Sequence, residues 1–180
     1  MFKKFMLMGL LALVGFVGAA KAQSETYVGA QFVRVNPDVR QGAFRYDGQS
    51  DSLGAVASYT NYFSKSAGLT GEVSVNFITG DRSKQLYTAL GGVTLKYREN
   101  ASVQPFVTGA VGIGTVHVDK RTLFIGSPAK TDTNVAYKVS TGFDLGKGNV
   151  KWRVFEAGYL QTRFFNQRQD NFVLSTGVIF

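Results

Sequence analysis

Phe172-Val-Leu-Ser-Thr-Gly-Val-Ile-Phe180 closes the chain. Every second residue back from the terminal Phe180 is Val178, Thr176, Leu174 and Phe172. That face is apolar apart from one threonine. The opposite face carries Ile179, Gly177, Ser175 and Val173, which is smaller and more mixed. Side chains alternate across a strand, so this pattern predicts a strand with one continuous greasy side. Such a strand, ending on an aromatic at the chain terminus, suits the closing strand of a β-barrel in lipid.

The other end of the chain agrees. Met1-Phe-Lys-Lys4 is a short basic start, and residues 5–20 are apolar and dotted with glycine. Ala20-Lys-Ala22 has the A-x-A form of a leader cleavage site. Residues 1–22 are therefore expected to be a signal peptide and residues 23–180 the barrel domain. The apolar run is shorter than the about 20 residues a spanning helix needs, and no later run reaches that length. The formal charge of +8 falls to +5 once Lys3, Lys4 and Lys21 are removed. The basic residues are scattered without a stripe or a stacking platform, which argues against nucleic acid. The 180 residues include no cysteine. Disulfides, thiol chemistry, cysteine metal sites and lipoprotein attachment are excluded. A closed barrel supplies stability in their place, because every backbone donor and acceptor pairs between strands.

Period-two patterning predicts eight strands, at about 25–35, 50–63, 68–78, 85–98, 102–117, 133–145, 149–162 and 170–180. Short connections (64–67, 99–101 and 146–148) alternate with longer or more polar ones (36–49, 79–84, 118–132 and 163–169). That is the habit of outer-membrane barrels, with both termini in the periplasm. Leu69, Gly71, Val73, Val75 and Phe77 share one face, against Thr70, Glu72, Ser74 and Asn76. Val135, Tyr137, Val139, Thr141, Phe143 and Leu145 oppose a face that holds Lys138, Ser140 and Asp144. In a soluble barrel, such as a lipocalin, the apolar face would be the core; in a membrane barrel it meets lipid. The leader, Phe180, the alternating loops and the aromatics near strand ends (Tyr62, Phe63, Tyr87 and Tyr97) favour the membrane. The expected fold is all-β: an eight-stranded antiparallel up-and-down transmembrane barrel. Pro105 is expected near a strand end or at a bulge. Arg153 and Glu156 have opposite parity and cannot both point inward without a bulge. Glu156 is expected inside, with Arg153 reaching outward to the periplasmic headgroups.

Leu90-Gly-Gly-Val-Thr-Leu-Lys-Tyr-Arg98 and Val103-Gln-Pro-Phe-Val107 resemble segments of the small OmpA-like outer-membrane β-barrel family. So do Gly68-Leu-Thr-Gly-Glu72, Ser140-Thr-Gly-Phe-Asp-Leu145, Tyr159-Leu-Gln-Thr-Arg-Phe164 and Asn171-Phe-Val-Leu-Ser-Thr-Gly177. The resemblance implies an eight-stranded barrel that braces the outer membrane, some relatives being adhesins or narrow pores. It implies the barrel alone, without the peptidoglycan-binding domain that OmpA carries, and it transfers no binding site.

Four groups of residues invite chemistry. Glu72, Lys96, Lys138, Asp144 and Glu156 are expected in the lumen as a structural network of ion pairs, the alternative being a gated narrow pore. Phe172, Leu174, Thr176, Val178 and Phe180 form the strand expected to guide membrane insertion and to engage the barrel-assembly machinery. The four longer loops carry nine basic residues against five acidic ones. Of these, Arg82, Lys84, Lys120, Arg121 and Lys130 are candidates to face lipopolysaccharide phosphates. Leu123-Phe-Ile125 adds an apolar patch that suits a surface partner. His117, the single histidine, is expected near the outer rim, followed by Asp119. Some small outer-membrane barrels modify lipid with a rim histidine and serine, but here no serine follows two residues on. Gly112-Ile-Gly114 and Gly146-Lys-Gly148 precede no helix and match no phosphate loop. The first is expected to relieve crowding and the second to make a turn. No metal site or cofactor is expected. The function expected is a structural or cell-surface role without a reaction.

Overall fold

The structure is a computed structural model that describes residues 24–35, 39–41, 44–46, 50–78, 84–98, 102–118, 130–164 and 167–180. The proposed leader lies outside them, as do Arg82, Asp119, Lys120, Arg121 and Leu123-Phe-Ile125. The strands are β1 (Ser24–Val35), β2 (Val39–Gln41), β3 (Phe44–Tyr46), β4 (Ser50–Tyr62), β5 (Ala67–Ile78), β6 (Lys84–Lys96), β7 (Val103–Val118), β8 (Lys130–Leu145), β9 (Lys151–Phe164) and β10 (Gln167–Ile179). Eight of them close a barrel in the order β1-β10-β9-β8-β7-β6-β5-β4. Every neighbouring pair is antiparallel. The ring shuts where β1 meets the terminal strand, from Tyr27↔Ile179 to Arg34↔Phe172. Closure leaves no long strand edge, which is what a β structure needs in lipid.

Each barrel strand has at least 12 residues, more than the 9–11 or so needed to cross a bilayer core. The end carrying Ser24 and Phe180 is called the base here, and the opposite end the crown. The short turns expected at 64–67 and 146–148 lie at the base. Gly146 and Gly148 both have positive φ, at 135° and 89°, so the second connection is the tight glycine turn its sequence suggests. The crown connections differ from expectation. Residues 39–41 pair antiparallel with residues 44–46 as β2 and β3, where only a loop was expected. Arg163, Arg168, Lys130 and Asp132, expected in loops, belong instead to strands. In the β7–β8 pair the ladder runs on to Val118↔Lys130, although residues 130–134 of β8 are all polar.

The period-two faces resolve cleanly. Leu53, Leu69, Val111, Val139, Tyr137 and Trp152 are each more than half exposed on the outer wall. So are Phe63 and Phe180, at 67% and 60% exposure. Phe172, Leu174, Thr176 and Val178 also face outward, while Val173 and Ile179 are buried inside. Inverted burial of this kind, with grease outside and polar groups inside, is the signature of a barrel whose solvent is hydrocarbon. Tyr62 corrects one expectation. It is 5% exposed and points into the base, where its hydroxyl donates to Glu25 at 2.9 Å. It does not belong to an outer aromatic girdle, whereas Phe63, Tyr97 and Trp152 ring the outer wall at the base.

Some inward glycines lie close against neighbouring backbone. A Cβ on Gly54 would lie 1.8 Å from the carbonyl oxygen of Val75. A Cβ on the outward Gly71 would meet nothing within 4 Å. Gly54→Ala is therefore expected to destabilise the barrel by about 1–3 kcal/mol, as overpacking does. Gly71→Ala should stay within about 0.5 kcal/mol. Urea unfolding of both variants in lipid vesicles checks the contrast, and equal effects would refute it.

Candidate functional site: the barrel interior

The interior holds a charged network in its lower part and its larger apolar cluster in its upper part. At the base, Lys96 Nζ lies 2.6 Å from both Glu25 Oε2 and Asp144 Oδ2. Glu25 also accepts from Arg98 at 3.0 Å and Lys151 at 2.7 Å, so one carboxylate gathers three cations. The Arg98 guanidinium lies 3.6 Å from the Tyr62 ring centroid. These groups come from strands far apart in sequence, and closure of the barrel alone brings them together.

Arg153 is the main correction. It is 9% exposed and faces inward. Its Nε donates to Asp144 Oδ1 at 2.9 Å and its Nη1 to Glu156 Oε2 at 2.9 Å. Its guanidinium sits between the Tyr27 and Phe106 rings, 4.3 and 4.0 Å from their centroids. The cause is a β-bulge in β9. Phe143 pairs with Phe155, but the next residue, Asp144, pairs with Arg153, so Val154 is skipped. The extra residue shifts the parity and turns Arg153 and Glu156 to the same side. The bulge also explains Thr176, the one polar residue on the apolar face of the terminal strand. Its hydroxyl donates to the Arg153 carbonyl at 3.0 Å and accepts from the Trp152 indole at 3.2 Å. A backbone acceptor beside the bulge is thus satisfied.

Farther up, Lys138 stands between two carboxylates. Its Nζ donates to both oxygens of Glu72 at 2.8 Å and lies 2.9 Å from Glu156 Oε1. All three side chains are almost wholly buried. A chain of hydroxyls, Thr60, Thr70, Thr94 and Thr108, crosses four strands with oxygen separations of 2.6–2.8 Å. The structure therefore brings Glu72, Lys96, Lys138, Asp144 and Glu156 together and adds Glu25, Arg98, Lys151 and Arg153 to them.

Above this network an apolar cluster fills the lumen alongside neutral polar pairs, Asn76 with Gln31 and Asn171 with Thr162. Val33, Leu86, Leu90, Ala136, Leu160, Phe164 and Val173 form one buried cluster inside the crown half, with Ala110 and Val116 packed on it. Sequence reading gave the lumen its charges and small polar residues, and not this cluster. The signal for the plug was present: Leu86, Leu90, Leu160 and Phe164 interrupt the polar parity of their strands. A barrel of eight strands is just wide enough for side chains to fill, and here two kinds of filler do so.

Lys84 and Lys130 lie in β6 and β8, opposite Val118 on either side of β7. His117 lies at the crown end of β7, and its Nδ1 is 2.8 Å from Thr131 Oγ1 on β8. Pro105 is the third residue of β7, near the base, where its carbonyl accepts from the Tyr97 amide at 2.9 Å.

No family model and no curated protein matches the chain. Solved structures do. Neisserial surface protein A superposes with a TM-score of 0.64 at 15% identity, covering 89% of this chain and 98% of that one. Ail, the attachment invasion locus protein of Yersinia pestis, gives 0.54 at 15% identity, covering 89% and 100%. The amino-terminal β-barrel domain of Pseudomonas aeruginosa OprF gives 0.52 at 12% identity over the same shares. The chain has the fold of small eight-stranded outer-membrane barrels.

Proposed function

We propose that this chain is an outer-membrane barrel of the small OmpA-like type, exported by cleavage of residues 1–22. Its role is structural or at the cell surface, and it carries out no reaction. One observation supports this most: an outer wall of exposed Leu, Val, Tyr and Trp surrounds an interior closed by ion pairs and packed side chains. An outer wall of this kind is matched to hydrocarbon rather than to water. Glu72, Lys96, Lys138, Asp144, Arg153 and Glu156 act as structural cross-braces. Phe172, Leu174, Val178 and Phe180 present the apolar face through which the terminal strand inserts and meets the assembly machinery. The surface role falls to the crown, where Arg82, Lys84, Lys120, Arg121 and Lys130 supply positive charge. The complex of Ail with sucrose octasulfate, a heparin analogue, is in keeping with a sulfated or phosphorylated partner at that end.

The protein should fractionate with the outer membrane and migrate faster on unheated than on heated gels. In planar bilayers the refolded barrel should show no channel events, because an ion must both part Lys138 from its carboxylates and pass the apolar cluster. Steady unitary currents that change in Lys138→Ala would replace this role with that of a pore. Acyl release from lipid A, lost in His117→Ala, would replace it with that of an enzyme.

A further inference from the structure

β8 and β9 part company near the crown. Their shared ladder stops at Ala136↔Thr162, while β8 continues along β7 to Lys130. β9 continues along β10 to Phe164↔Gln167. The fork between them holds a cleft of about 290 Å³, lined by Asn134, Val135, Tyr137, Gln161, Arg163 and Arg168 among others. It opens on the outer wall, since Val135, Tyr137, Arg163 and Arg168 are all exposed there.

The register makes this cleft unusual. Arg163 and Arg168 are direct cross-strand partners on the same outward face. Like charges directly opposite each other destabilise a sheet. Arg168 is partly compensated: its Nε donates to Asp170 at 2.8 Å and its Nη2 to the Tyr159 hydroxyl at 3.0 Å. Among the described residues no carboxylate forms an ion pair with Arg163. Two guanidinium groups and one carboxylate therefore leave one positive charge, built into rigid strands rather than a loop tip. The Asn134 amide oxygen accepts from the Val135 backbone N–H at 2.9 Å, so a backbone donor of the forked strand is bonded locally.

Depth supplies the second constraint. Tyr159, Phe172, Tyr137 and Val139 lie on the same wall just below, each more than 40% exposed. Arg163 stands four residues crownward of Tyr159, about 13 Å along the strand. The arginines thus sit where hydrocarbon gives way to headgroups, directly above an aromatic and aliphatic wall. Guanidinium groups bind phosphate oxygens in paired hydrogen bonds.

We propose that the β8–β9 cleft binds a phosphorylated lipid of the outer leaflet, of the lipid A class. Arg163 and Arg168 share its phosphate, and an acyl chain lies along Tyr137, Val139 and Tyr159. The site rests on the bilayer placement proposed above and gives the crown a fixed lipid position, set apart from the cations of the loops.

The test uses the refolded chain from residue 23 in phosphatidylcholine nanodiscs doped with lipid A, with bound lipid counted by native mass spectrometry after detergent release. Wild-type protein should retain lipid A over phosphatidylcholine. The Arg163→Gln/Arg168→Gln variant should weaken that retention at least about tenfold, because two charge-assisted hydrogen-bonding groups are lost. Wild-type protein should lose the preference for dephosphorylated lipid A, an arm that needs no variant to fold. Millimolar inorganic phosphate should fail to displace the lipid. Equal retention by variant and wild type, equal retention of dephosphorylated lipid A, or full displacement by inorganic phosphate would each overturn the site. Failure of wild-type protein to enter phosphatidylcholine discs at all would overturn the bilayer placement instead, so the two failures are distinct.

Discussion

Replacing Lys138 with methionine should cost the folded barrel about 3–5 kcal/mol, the penalty for leaving a buried charge without its partner. Lys138 is 2% exposed and stands between Glu72 and Glu156, sharing its one positive charge between them. Without it Glu156 keeps Arg153 at 2.9 Å, but no other ion pair among the described residues reaches Glu72. Two carboxylates then share a closed space with one cation. Glu72→Gln in the Lys138→Met background should restore most of the loss, because the stranded charge is gone. Guanidinium unfolding of the four proteins in lipid vesicles, read as a double-mutant cycle, measures the coupling. A loss under about 1 kcal/mol would mean that water enters freely at this level, and the sealed interior on which the structural role depends would be wrong.

Val111→Arg should be the most damaging change on the outer wall, lowering stability by about 2–4 kcal/mol in a bilayer. Val111 is 51% exposed, near the middle of β7, and its partners Gly91 and Tyr137 are near the middle of theirs. Val107 and Ile113, on the same face of β7, are 49% and 53% exposed, so the apolar wall continues on both sides of it. In a soluble barrel the same residue would face water, and the substitution would stay within about 0.5 kcal/mol. Unfolding midpoints in vesicles compared with Lys147→Arg, at the base turn, report the difference. A tolerated Val111→Arg would remove the membrane from the account.

Much of the fold was legible because the sheet period is two and a barrel has only two sides. Leu69, Val73, Val75 and Phe77 against Thr70, Glu72, Ser74 and Asn76 state the sides of β5 without reference to any other strand. The same holds for Phe172 to Phe180. Which side meets lipid followed from the leader-like start and the alternating loop lengths, both local properties of the chain. The crown was less legible. Where the strand pattern continued past the last apolar residue, as at Asp132 and Arg163, polarity suggested loops although the ladders ran on.

The interior site was legible in type and not in pairing. Glu72, Lys138 and Glu156 could each be assigned to the inner face from their own strands. That one lysine bridges both carboxylates depends on distances across the lumen, which no strand encodes alone. Tyr62 looked like an interface aromatic until Glu25, 37 residues away, was found at its hydroxyl.

By itself the sequence determined that eight strands alternate, which residues of most strands face outward, and where the tight glycine turn at the base falls, because local sterics and period-two patterning suffice for these. Only the tertiary structure decided the side of Arg153, the apolar plug of the crown and the opposed arginines at the β8–β9 fork. A bulge, a shared lumen and a cross-strand register are relations between strands. Their energies come from partners that closure of the ring brings within reach, and no single stretch of chain contains them.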